Sequence, residues 1–382
     1  MPRKLRVGIL FGGRSGEHEV SLRSAASVLA AINNKKYEVV PIGITKAGQW
    51  VLGDGAHRML APAAAPARAQ RKPLAASAAR AAALQAAGSA PQAQALGVDV
   101  LFPVLHGTFG EDGTIQGLFE LADKAYVGSG VLGSAAGMDK DVMKRLFAAA
   151  GLPIVKHVTL LRSAWQKSPR KAIAQIEAAL RYPLFVKPAN LGSSVGISKV
   201  HDRSELAPAL VLAASFDRKI VVEEGVGGKA SAKKAAARAR ELEVAVLGND
   251  EPIASVVGEI VPAKEFYDYE AKYESDGSVP IIPAKLTKAQ SKQIREMAIA
   301  AFRACDCSGL ARVDFLLEPA GRGGKPGRLY LNEINTLPGF TSISMYPKLW
   351  EASGLAYANL IDRLIELALE RRAERDDTQF SR

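Results

Sequence analysis

Only two cysteines occur in the 382 residues, Cys305 and Cys307, and no second pair lies elsewhere to complete a zinc site. Cys305 continues the apolar face of a helix, so it is expected to pack in a reducing compartment. No apolar run approaches the roughly 20 residues of a membrane span. The opening "MPRKLRVGILFGG" is too short for a secretory core and lacks a cleavage site, so it reads as a first strand of a cytoplasmic protein. Acidic residues are missing from two alanine-rich segments, about 56–98 and 227–240. Each carries five Lys or Arg, and together they hold ten of the eleven net positive charges. Nothing aromatic is interleaved with these bases to stack on nucleobases, which argues against nucleic-acid binding. Such segments are read as exposed helices or disordered inserts.

The remaining chain is that of a globular protein of roughly two to three domains. "LRVGILFGGRSGEHEVSLRSAASVLAAI" followed by "YEVVPIGI" is strand, glycine-rich turn, helix, strand, the opening of a doubly wound α/β unit. "VDVLFPVL", "YPLFVKP", "GISKV", "KIVVEEGV" and "ELEVAVLGN" read as further strands. "MDKDVMKRLFAAAGLPIV" and "TKAQSKQIREMAIAAFRAC" carry helical periodicity, the second with Ile294, Met297, Ala298, Ala301, Phe302 and Cys305 aligned. The stretch 262–284 is long, polar and aromatic without a clear period, as a functional loop would be.

Two strands carry the chemistry. In "GLARVDFLLEP", Arg312 and Asp314 share one face and Val313 and Phe315 the other. In "GRLYLNEINTLPGF", Glu333 and Asn335 share a face, with Leu329 and Leu331 expected on it lower down. "AGRGGKPGR" between them reads as a hairpin connection, so Asp314 can meet Glu333 and Asn335. Three oxygen ligands suit a hard cation such as Mg²⁺, although solvated strand ends are the simpler alternative. "NLGSSVG" can turn backbone N–H groups toward an anion or be an ordinary tight turn. It is no Walker loop, and "FGGRSG" misses the dinucleotide fingerprint, which disfavours a dehydrogenase. Lys140, Lys187 and Lys272 could hold phosphates or lie on the surface. His106 and Glu19 follow strands, where ligands collect in open α/β sheets.

Taken together, "FGGRSGEHEVSL", "LHGTFGEDGTIQG", "MDK", "FVKPANLGSSVGISKV", "FYDYEAKY", "RVDF" and "NEINTLPGFTS" resemble, in order, the segments of D-alanine–D-alanine ligases of the ATP-grasp superfamily. The resemblance covers nearly the whole chain outside the two inserts. It implies an N-terminal doubly wound, Rossmann-like pre-ATP-grasp domain (1–135) and an α+β ATP-grasp domain of two subdomains (136–376). The implied chemistry is ATP-dependent phosphorylation of one D-alanine, then attack on it by the amine of a second.

By the same resemblance Glu19, helped by His106, binds the first ammonium. Lys140 and Lys187 hold nucleotide phosphates, and Lys272 the transferred phosphoryl group. Glu223 lies by the adenine with Glu224 and Val226 beside it, and Glu241 contacts the ribose. Asp314, Glu333 and Asn335 hold two Mg²⁺ or Mn²⁺ ions. Arg312 and the Gly339 N–H stabilise the oxyanion, and Ser344 and Met345 meet the second substrate. Ser193, near the nucleotide, and Tyr273 bridge with Glu19 to close the long loop. "FYDYEAKY" goes with an amine acceptor rather than the D-lactate used by related ligases. Relatives form homodimers, and the product serves peptidoglycan precursor synthesis.

Overall fold

β1 (Leu5–Gly12) is apolar toward both faces because it lies in the middle of a parallel sheet covered on both sides. The computed structural model describes residues 3–64, 97–192, 195–227, 238–262, 278–320 and 326–379. The first sheet has the order β3-β2-β1-β4-β5, with β2 (Tyr37–Ile44), β3 (Trp50–Leu52), β4 (Val100–Pro103) and β5 (Ala125–Tyr126). All pairings are parallel except the β3 edge. Val7, Ile9 and Phe11 pack with Leu22, Ala25 and Val28 of α1 (His18–Ala31) and with Ala56 and Leu60 of α2 (Asp54–Ala64). Leu10 turns the other way, toward Ile115 and Phe119 of α3 (Thr114–Leu121). The expectation of an exposed insert from 56 is thereby corrected, since Ala56, Leu60 and Val98 are buried core residues. Residues 65–96 lie outside the described residues.

A second, antiparallel sheet of order β6-β9-β7-β8 is built from β6 (His157–Leu161), β7 (Leu184–Pro188), β8 (Ser198–Val200) and β9 (Lys219–Glu224). α6 (Arg162–Lys167), α7 (Pro169–Ala179) and α8 (Arg203–Phe216) supply Trp165, Ile176 and Leu210 to a core completed by Leu184, Val186 and Val222.

The third sheet has the order β12-β11-β10-β13-β14: β10 (Arg240–Gly248), β11 (Ile253–Val261), β12 (Val279–Ile281), β13 (Gly309–Leu317) and β14 (Leu329–Asn335). Two expectations change here. Arg240, placed in the basic insert, belongs to β10 and forms a two-pronged pair with Glu259 at 2.8 and 2.6 Å. β12 lies within the stretch read as a continuous loop, and residues 263–277 of that loop are outside the described residues.

α4 (Val131–Met138) leads into α5 (Lys140–Ala149), whose cap Asp139 accepts from the N–H groups of Asp141 and Val142. α9 (Lys288–Ala304) starts at a Thr287–Gln290 capping box and buries the stripe read from the sequence. With Met143 and Phe147 it covers the apolar face of the third sheet, Leu242, Val244, Val313 and Phe315 among it. α10 (Met345–Ala352) and α11 (Tyr357–Asp376) close the chain. Leu360, Ile361 and Leu364 of α11 share one core with β1 and with Ala245 and Leu247 of β10. The face of the third sheet opposite α9 therefore carries Glu243, Arg312 and Asp314 at the end away from that shared core. Glu243 and Arg312 line a cavity there.

Candidate active site

The β13–β14 hairpin pairs as expected, with Asp314 opposite Glu333 and Arg312 opposite Asn335. The register then slips, because Phe315 meets Leu331 and Asn332 is an extra residue on its strand. The slip overturns one expectation. Leu331 lies with Ile334 in the core under α9, on the face opposite Glu333 and Asn335, and Leu329 packs against the same core. The bulge changes phase between the apolar and the polar half of β14. The carbonyl of Asn332 is taken by the ammonium of Lys144, at 3.2 Å.

Lys144, 1% exposed, also lies 3.0 Å from Glu223, whose other oxygen accepts from Lys187 at 2.8 Å. Burial alone would push the Glu223 carboxyl up, but the two lysines outweigh it and hold the group far below the usual carboxylate range. Burial likewise opposes charge on Lys187. Glu223, Glu333 and Glu241 prevail and raise it, so the lysine stays charged among these acids. Glu224 follows and accepts from the Arg181 N–H at 3.0 Å, and Val226 lies half-buried two residues on.

A cavity of about 310 Å³ opens between the first and third sheets. Lys140, Arg312, Glu333, Asn335, Gly339, Ser344, Met345 and His106 all reach its wall, as expected for one site. Lys140 donates to the Leu191 carbonyl at 2.7 Å. Arg312 grips Asp314 through two bonds of 2.7 Å and lies 3.3 Å from Glu243, and these acids hold its basicity well above normal although its partial burial opposes the charge. A Cβ on Gly339 would meet Ser344 Oγ at 2.8 Å, so only glycine lets that backbone approach. Ser344 caps α10 and its Oγ accepts from the Thr341 N–H at 3.0 Å.

Glu19 is not at this site. Its side chain is 61% exposed and pairs with Lys46 at 2.9 Å. Glu17, immediately before α1, lines the cavity instead, 8% exposed. Glu17 caps α1 from outside it and Glu19 lies in its first turn, and the two acids of "GEHE" leave the backbone in different directions. The Glu17 carboxylate sits so close to Gly107 and Gly192 that a Cβ there would lie 2.7 and 3.2 Å from it. His106 is buried beside it, 3.5 Å from Glu111 and 3.1 Å from Ser24 Oγ. Burial disfavours its charge, yet Glu111 and Glu17 win and raise its pKa. Ser193, Lys272 and Tyr273 lie outside the described residues.

Sequence reasoning missed Glu17, Glu111, Glu243 and Lys144. The first two stand inside motifs already singled out, and Glu243 alternates with Leu242 and Val244 along β10. Burial pushes the Cys305 thiol up to about 12, in keeping with a packing role. The donor set Asp314, Glu333 and Asn335 is all oxygen and fits a hard divalent cation. Asn335 Oδ1 is oriented by the Leu337 N–H at 3.0 Å. Among the described residues no three His, Cys, Asp or Glu side chains cluster as a metal site, and the third oxygen-bearing side chain beside Asp314 and Glu333 is the amide of Asn335.

Residues 6–129 match the family described as D-ala D-ala ligase N-terminus, and 146–366 its C-terminus. The chain is 50% identical to a D-alanine–D-alanine ligase of Geobacillus thermodenitrificans, 97% of each chain being covered. It is 51% identical to one of Ruminiclostridium cellulolyticum, over 96% of each. The solved D-alanine–D-alanine ligase of Coxiella burnetii superposes with a TM-score of 0.75 at 36% identity, covering 98% of this chain and 96% of that one. The VanG D-Ala:D-Ser ligase of Enterococcus faecalis gives 0.76 at 37%, covering 96% and 100%. A doubly wound sheet followed by two antiparallel sheets is the ATP-grasp fold shared with these enzymes, and the chain belongs to the D-alanine–D-alanine ligase family.

Proposed function

We propose that this enzyme joins two D-alanines at the expense of ATP, releasing ADP and phosphate. One observation carries the reading: the cavity brings an acid and a histidine from the first sheet, Glu17 and His106, against Arg312, Glu333 and Asn335 of the third. An oxygen of the first D-alanine carboxylate attacks the γ-phosphorus, and the bond to ADP breaks. The amine of the second D-alanine, having lost its proton, attacks the acyl carbon to form a tetrahedral intermediate. Its collapse breaks the bond to phosphate and leaves the peptide.

Glu17 and His106 bind the first ammonium, and Glu111 orients His106. Arg312 and the Gly339 N–H face the developing oxyanion, where each such donor typically contributes about 3 kcal/mol. Lys140 and Lys187 take the nucleotide phosphates, with Glu223, Glu224, Val226 and Glu241 toward adenine and ribose. Asp314, Glu333 and Asn335 would hold two Mg²⁺ or Mn²⁺ ions, which supply charge neutralisation for phosphoryl transfer. Ser193, Tyr273 and Lys272, outside the described residues, keep in this proposal the roles that the family resemblance implies. The domain division near 135, a homodimer and a cytoplasmic setting in peptidoglycan precursor synthesis complete the proposal.

The test is phosphate release with ATP, Mg²⁺ and D-alanine against L-alanine, with product mass recorded. D-serine and D-lactate as acceptors are included because a solved relative is named for D-serine. Release dependent on D-alanine and a product of dipeptide mass support the reading, and preferential mixed products would move it to another acceptor.

A further inference from the structure

Among the described residues three Lys or Arg side chains line the cavity, and two are committed: Lys140 to the Leu191 carbonyl, and Arg312 to Asp314 and Glu243. The third, Lys348, is half-buried and has no hydrogen-bond or ion-pair partner among the described residues. An ammonium partly withdrawn from water without a counter-charge is costly, and beside a polar cavity it is a ready receptor for an anion. We propose that Lys348 binds the carboxylate of the second amino acid, the one whose amine attacks. This assignment rests on the ligase reading.

Lys348 is four residues beyond Ser344, so on α10 the two share a face, and both reach the cavity. The start of α10 adds a favourable potential for negative charge, and the N–H groups of Met345 and Tyr346 are not used within the helix, Pro347 having none. The phosphates have other receptors: Lys140 on α5 and Lys187 on β7. The carboxylate of the first amino acid is consumed in the reaction and is directed at Arg312. The second carboxylate passes through unchanged, so a fixed cation can hold it throughout. With the carboxylate held at Lys348 and Ser344, the amine is aimed at the acyl carbon beside Gly339. Swapping configuration would exchange amine and side chain, which makes this contact part of the preference for D-amino acids.

The experiment is steady-state kinetics on the full chain, resolving the two D-alanine KM values, for wild type, K348M and K348R. Methionine keeps the stem and removes the charge. Losing a charge-assisted bond is expected to raise the second KM roughly ten- to a hundredfold, with the first KM and the ATP KM within about twofold. K348R should restore part of the loss. D-Alaninamide, an acceptor without the carboxylate, should be used equally well by wild type and K348M. A K348M enzyme of unchanged thermal midpoint and unchanged second KM would overturn the assignment, as would equal damage with D-alaninamide. Wild type indifferent to D-alanine would overturn the ligase reading itself, and this contact with it.

Discussion

Glu17 and Glu19 stand two residues apart in one motif, one capping α1 and facing the cavity, the other in the first turn of α1 and paired with Lys46. The sequence shows both acids, but choosing between them needs the helix phase, which depends on where α1 begins. E17Q should lower kcat/KM for D-alanine roughly ten- to a hundredfold, the value of a charge-assisted bond, while E19Q stays within about twofold. The reverse order in initial-rate measurements would restore Glu19. His106 gives a pH prediction. Its folded-state pKa is raised, net of burial, by Glu111 and Glu17. A raised pKa contributes stability that is full below the unfolded value of about 6.5 and fades as pH rises through the folded one. Thermal midpoints of wild type and E111Q should therefore differ most near pH 6 and converge by pH 9. A gap that widens with pH would contradict it.

At the scale of the element, the hairpin of β13 and β14 was readable because alternation is strict on β13: Val313 and Phe315 inward, Arg312 and Asp314 outward. Its partner hid a bulge. Nothing local marks Asn332 as the extra residue, since the slip is fixed by cross-strand pairing and by Lys144 reaching its carbonyl. Lys144 was equally illegible, because helical spacing places it among polar positions of α5 while tertiary packing buries it. Removing one partner from a buried ionic group is costly. K144M should therefore lose about 3 kcal/mol of stability in urea denaturation, Lys187 still shielding Glu223. A midpoint equal to wild type would show that the buried lysine does not hold the bulge in place.

Across the whole molecule, the order of strands and helices was legible from hydrophobic period and turn residues, while the joining of the pieces was not. The apolar stripe of α11 says that it packs, but not that Leu364 shares a core with β1 and with β10 far along the chain. Such contacts are set by topology rather than local pattern. Their consequence is cooperativity: L364A should cost roughly 2–5 kcal/mol. Its unfolding should still be a single transition by tryptophan fluorescence and far-ultraviolet dichroism alike. Two separated transitions would mean that the sheets stand independently.

The cavity between those sheets is where the account commits itself to a phosphorylated carboxylate. With D-alanine labelled with ¹⁸O in its carboxylate, phosphate carrying one oxygen from the amino acid is expected at each turnover. Phosphate released without label while dipeptide forms would contradict it.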